Sequence, residues 1–156
     1  MPTIELSTLI DAPIEIVFDL ARSVDAHLSS ASQTKEVAVA GTTSGLLELG
    51  DWVTWEAKHL GVRQQLTVEI SEMNRPHSFE DRMLRGAFSS MVHRHEFEVT
   101  ASGTLMRDRF SYRAPMWGIG RLAETLFLTA YMRRFLVRRN LQLKEMAEGL
   151  KNTRAC

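Results

Sequence analysis

MVHRHEFEVTASGTLMRDRFSYR, residues 91–113, decides the fold of this chain. From Met91 to Val99 the odd positions are Met91, His93, His95, Phe97 and Val99, with Val92, Arg94, Glu96 and Glu98 between them. From Thr104 to Ala114 the even positions are Thr104, Met106, Asp108, Phe110, Tyr112 and Ala114; Arg107, Arg109 and Arg113 fall on the other side. A period of two predicts strands with one face turned inward. Ser102-Gly103 supplies the turn between them, so the two runs predict an antiparallel hairpin.

The same rhythm runs back towards the N-terminus. Trp52–Leu60, Val62–Ile70 and His77–Arg85 read as strands, separated by Gly61 and by Asn74-Arg75-Pro76. Turn residues recurring this often predict a meander of short connections. Further upstream, Glu36–Ala40 and Thr3–Ile10 are also predicted strands. Between these two, Pro13 opens a short helix carrying Ile14, Val17, Phe18 and Ala21, and Ser23 caps a second that runs to Ala31. Downstream, Gly118 to about Leu150 is one long helical pattern, with an apolar stripe through Leu126, Phe127, Met132, Phe135, Leu136, Leu143, Ala147 and Leu150. The prediction is an α+β chain in which a curved antiparallel sheet buries one face on a long C-terminal helix.

At 156 residues the chain suits a single domain spanning 1–156, with a tail from about 151 that frays. With 19 basic and 19 acidic residues, and a pI near 7.0, it is no dedicated nucleic-acid binder. The one cysteine, at position 156, excludes a disulfide framework. No leader pattern is present and Arg121 and Glu124 break the most apolar stretch, so a cytoplasmic protein without a transmembrane segment is expected. The neutrality hides a gradient. Residues 1–60 hold nine acids and three bases, whereas 107–156 hold four acids and eleven bases. Such asymmetry marks either a binding face or two halves of one domain that sit against each other.

The strings IDAPIEIVFDLAR (10–22), RPHSFEDRMLRGAF (75–88), VHRHEF (92–97) and GTLMRDRFSYRAP (103–115), in this order of elements, resemble the START-like, or SRPBCC, ligand-binding superfamily. Within it the chain is similar to small bacterial proteins of cyclase/dehydrase-like or cell-division-inhibitor-like type. The resemblance implies a helix-grip fold. It also implies an apolar cavity between sheet and long helix for a lipid, isoprenoid, polyketide or aromatic molecule. The superfamily shares no catalytic residue, so none carries over.

The predicted inner face supplies the candidate cavity: Trp55, His59, Phe79, Asp81, Met83, Met91, His93, His95, Phe97, Met106, Asp108, Phe110 and Tyr112. Carboxylates and imidazoles on an apolar face need partners, because burying an unpaired charge is costly. They read as a structural His–Asp network or as polar groups that orient a ligand. Two further readings are a metal site, from His93 and His95 with Asp81 or Asp108, and an acid–base pair, His95 with Asp108. The expectation adopted is a binder or carrier of a small hydrophobic molecule with no metal and no cofactor. The alternatives are a cyclase, dehydrase or hydrolase using His95 and Asp108, and a protein-interaction module without a ligand site. Arg133, Arg134, Arg138 and Arg139 cluster on the long helix, as a solvated face or as a patch for an acidic lipid or protein partner. A homodimer stays open, and Trp117 at the helix start is a candidate cavity gate or interface residue.

Overall fold

The computed structural model describes residues 1–31, 34–114 and 121–155, and only the backbone of 121–124. Its elements are β1 (Thr3–Ile10), α1 (Ile14–Ala21), α2 (Val24–Ser30), β2 (Val37–Gly41), β3 (Trp52–His59), β4 (Val62–Asn74), β5 (Ser78–Arg85), β6 (Ser90–Thr100), β7 (Gly103–Arg113) and α3 (Arg121–Arg154). All seven strands lie in one antiparallel sheet of order β1-β7-β6-β5-β4-β3-β2. The two helices after β1 let the chain cross from one sheet edge to the other. From β2 onwards every strand pairs with the next, and β7 closes on β1.

The local reasons are those of the sequence. Ser23 caps α2 by accepting a hydrogen bond from the Ala26 amide. Leu60 and Gly61, both at positive φ, form the two-residue turn between β3 and β4. β4 is four residues longer than the predicted Val62–Ile70. It carries register shifts at Thr67/Val68 and at Ile70/Glu72, and such bulges bend a strand and raise its twist. Gly103 has φ +127°, and a Cβ there would collide with the Ile10 carbonyl oxygen. Gly103→Ala is therefore expected to destabilise by about 2 kcal/mol or more, measured as a lower urea midpoint; a change under about 0.5 kcal/mol would contradict this account.

The inner face of the sheet packs on α1 and α3. Phe18 of α1 is fully buried, edge-on to Phe79 at 5.6 Å and to Phe97 at 5.4 Å. Helix α3 packs against β1, α1 and α2, and it buries Met132, Leu136, Asn140, Leu143 and Ala147. Leu126, Phe127 and Leu150 of the predicted stripe are instead exposed: the first two lie off the buried line Met132–Leu136–Asn140–Leu143–Ala147, and Leu150, though on it, lies past the last buried turn. Val99 is exposed as well, at the outer end of the β6–β7 hairpin. Trp117, Gly118 and Ile119 lie outside the described residues. α3 stays helical to Arg154, with Lys151 Nζ 2.6 Å from Asp11 Oδ1. Lys144 also donates to Leu9 O at 2.8 Å. The basic end of the chain thus touches its acidic beginning. No described helix is long and apolar enough to cross a membrane.

Candidate functional site

A cavity of about 290 Å³ is lined from three sides. The sheet contributes Trp55, Ala57, His59, Leu66, Val68, Phe79, Asp81, Met91, His93 and Phe110. Helix α3 contributes Leu128, Tyr131, Met132, Phe135, Leu136 and Arg139, and α2 with the segment before β2 contributes His27 and Glu36. The end of α1 (Ala21, Arg22), Leu47, the β3–β4 turn (Leu60) and the β5–β6 connection (Ala87, Phe88) also line it. This is the lower end of the volume range of small-molecule pockets, with a mostly apolar lining and few polar groups.

Of the thirteen predicted cavity residues, Trp55, His59, Phe79, Asp81, Met91, His93 and Phe110 line this space. The other six do not. Phe97 packs under Phe18, and Met106 lies in the buried core beside it. Tyr112 packs on Phe88 and Phe110 and shares a 2.6 Å hydrogen bond with Thr129. Met83 is partly buried at the edge of the core. His95 and Asp108 are buried behind the cavity wall, so the predicted acid–base pair does not face the space. The alternation assigned the faces of these strands; it could not say how far along each strand the cavity reaches.

The polar groups fall into two sets. At one end, His27 stacks on Trp55 at 4.0 Å, with its Nε2 3.0 Å from Glu36 Oε1. That contact is short but poorly aligned, and both His27 Nε2 and Glu36 Oε2 are buried without a hydrogen-bond partner. Burial, aided by the Arg139 charge, holds His27 below its usual pKa and therefore neutral at pH 7. Burial would raise Glu36, but His27 and Arg139 outweigh it and keep the carboxyl ionised. Arg139 is half-buried and forms no ion pair with any described residue, although its field reaches His27, Glu36 and Asp81. Its helix neighbours Arg133, Arg134 and Arg138 are exposed. Nearby, His59 Nδ1 bonds the Tyr131 hydroxyl at 2.9 Å, and burial lowers its pKa.

The second set spans three adjacent strands. Asp81 faces His93 across β5–β6, and His95 faces Asp108 across β6–β7. Asp108 Oδ1 lies 3.0 Å from His93 Nε2 and 2.8 Å from His95 Nδ1. The first contact is an aligned hydrogen bond. The second is an off-axis charge contact, and His95 Nδ1 is left without a hydrogen bond of good geometry. Asn140 of α3 donates to Asp108 Oδ2 at 2.6 Å. Asp81 Oδ2 lies 3.3 Å from His95 Nε2 and 3.9 Å from His93 Nδ1. Burial disfavours charge on His95, but Asp108 and Asp81 overcome it and hold its pKa up to about 9. Burial, and then the charge of His95, push His93 down, so one imidazole of the pair is charged and the other neutral. Both carboxyls are held below their usual range: burial opposes this, and the histidines outweigh it.

Seven antiparallel strands curved around one long C-terminal helix, with two short helices after the first strand, define a helix-grip protein. The chain belongs to the polyketide cyclase / dehydrase and lipid transport family, whose sequence profile matches residues 1–148. That family is of the START-like, or SRPBCC, type that the local strings resemble. No curated protein is significantly similar in sequence. Among solved structures, the chain is similar to TTHA0849 from Thermus thermophilus, with TM-score 0.79 and 18% identity over 96% of this chain and 99% of that one. It is also similar to ginseng major latex-like protein 151 from Panax ginseng, with TM-score 0.68 and 13% identity over 94% and 97%. At these identities the likeness is one of fold.

Sequence reasoning missed Arg139, Glu36 and His27 as cavity residues. Arg139 was readable from the helix phase: Met132, Leu136, Leu143 and Ala147 define a buried line, and position 139 falls beside it. Glu36 and His27 come from a strand flank and a short helix, where no periodic signal points inward.

Proposed function

We propose that the protein binds one small, mostly apolar molecule that carries an oxygen function at one end. The observation that supports this is the pairing of an apolar cavity with unmet polar atoms at one end of it. Trp55, Phe79, Met91, Phe110 and Leu136 offer the apolar body its contacts. Glu36 Oε2 lacks a donor, and Arg139 lacks a carboxylate among the described residues. A carbonyl or carboxylate oxygen on Arg139, with a hydroxyl donating to Glu36, would satisfy both. Buried polar groups are rarely left unpaired, so this end of the cavity calls for such a guest. The family's description, polyketide cyclase / dehydrase and lipid transport, is of the same chemical kind.

Native mass spectrometry of gently purified protein, followed by titration with fatty acids, quinones and aromatic polyketides, tests the reading. A protein that arrives empty and takes up none of them would sink it. Arg139→Leu is expected to weaken an oxygenated ligand about 10- to 100-fold, the worth of a hydrogen bond to a charged group, while the same ligand lacking its oxygen loses little. Equal losses for both ligands would remove Arg139 from the site.

An enzymatic reading has one observation in its favour. His93 faces the cavity, stays neutral, and has its Nε2 fixed by Asp108. This is the arrangement of a general base, and it moves that role from the predicted His95 to His93. Turnover of a cyclisable polyketide by wild type and equally by His93→Gln would exclude it.

A further inference from the structure

Asp108 sits behind the cavity wall, yet it aims the groups in front of it. Its Oδ1 hydrogen-bonds His93 Nε2 and lies 2.8 Å from His95 Nδ1 as a charge contact. The opposite ring nitrogens, His93 Nδ1 and His95 Nε2, are thereby turned towards the same atom, Asp81 Oδ2, at 3.9 and 3.3 Å. One donor atom from each of Asp81, His93 and His95 falls in a cluster within 4.8 Å. Asp81 and His93 also line the cavity. We propose that Asp81, His93 and His95 form a binding site for a divalent transition-metal ion of the zinc or iron(II) class, open towards the cavity.

Four features carry this. Two imidazoles and one carboxylate are the donor set that such ions accept while keeping positions free for a substrate or water. Donors about 2.1 Å from a common tetrahedral ion lie about 3.4 Å apart, so the cluster needs closure by an ångström or so, within the reach of side-chain rotation. Metal-bound histidines usually give their other nitrogen to a carboxylate. Here one buried carboxylate does this for His93, lies 2.8 Å from His95 Nδ1 as a charge contact, and is itself held by Asn140 at 2.6 Å. All ligands stand on neighbouring strands of one sheet, which fixes their spacing better than loops could. The inference does not depend on the identity, or the existence, of an organic ligand.

The test uses the full chain without an affinity tag, stripped with a chelator and then equilibrated with Zn²⁺ alone. After desalting, about one zinc per chain is expected. Asp81→Asn, close in shape and size, is expected to lower zinc affinity at least 10-fold. Asp108→Asn, outside the ligand set, is expected to lower it about 10- to 100-fold. Zinc that fails to stay on the wild type, or that stays equally well on Asp81→Asn, overturns the proposal. Should Asp81→Asn not fold, Co²⁺ in the wild type decides. Visible d–d bands of a nitrogen- and oxygen-ligated site, bleached by one equivalent of Zn²⁺, support the site. Their absence removes it.

Discussion

Asp108→Ala is expected to lower stability by about 3–5 kcal/mol in urea unfolding, because it removes one partner of a buried ion pair and leaves the other charged. Asp108 is 3% exposed. Without it, His95 keeps only Asp81, His93 Nε2 loses its hydrogen bond, and Asn140 Nδ2 keeps only a 3.4 Å contact to Thr8 Oγ1. The pH dependence gives a second readout, taken with chelator present. The pKa of His95 is held at about 9, above its ordinary 6.5. Its contribution is therefore complete below pH 6.5 and is lost as the pH rises through 9. His93 and His27 are held low, so their contributions change only below pH 6.5 and leave that alkaline limb alone. Asp108 and Asp81 are held below 3.8, so theirs is present above that value and lost on acidification. Wild type should accordingly weaken between pH 6.5 and 9, and Asp108→Ala should weaken much less over the same range. A loss under about 1 kcal/mol at pH 6, or equal slopes in both proteins, would show that the pair does not hold the fold.

Phe18→Ala is expected to cost a comparable 3–5 kcal/mol, by a different route. The ring is fully buried and meets Phe79 and Phe97 edge-on, and the Arg22 guanidinium lies 5.4 Å over it. α1 is a helix of only eight residues, too short to stand by its own hydrogen bonds, so tertiary contacts such as this one hold it. Alanine would leave a void beneath the helix that the rigid sheet cannot close. The change in urea midpoint measures the loss. A double-mutant cycle with Phe97→Leu should return a coupling of about 0.5–1.5 kcal/mol for the ring pair. A coupling near zero would mean that only area, and not ring geometry, matters there.

Much of the fold was legible because alternation and turn residues report directly on strands. β6 and β7 show this best: Met91, His93, His95 and Phe97, and Thr104 through Tyr112, alternate in the structure as they do in the sequence. Period two also put Asp81, His93, His95 and Asp108 on one face, and the sheet register then brings them into one cluster. What the pattern could not supply was depth. His95 and Asp108 point inward like His93, yet they stop behind the wall, because α1 and the far half of α3 fill that part of the sheet. Nor could it supply rotation. Four arginines crowd residues 133–139, and only the phase of α3 against the sheet turns Arg139 inward. The charge gradient resolves partly into contacts, with Lys151 on Asp11 and Arg109 on Glu5 joining the basic end to the acidic beginning.

Helix α3 is held unevenly along its length. Beyond residue 139 it is fastened by Asn140 to Asp108 and Thr8, by Lys144 to Leu9 O, by Glu148 to the Asp11 amide and by Lys151 to Asp11 Oδ1. Before that point it spans the cavity with Leu128, Tyr131, Phe135 and their neighbours. Mechanically this is a beam clamped at the C-terminal end and tied more lightly along its span, by Thr129 to Tyr112 and by Tyr131 to His59. From Asn140 back to Phe127 the arm is about 20 Å long, so a tilt of about 5° at the clamp moves its outer end by nearly 2 Å. Such a tilt would change the depth of the cavity with no strand pairing broken, and would load those two hydroxyl bonds first. The Asn140–Asp108 bond sits at the fulcrum of that beam.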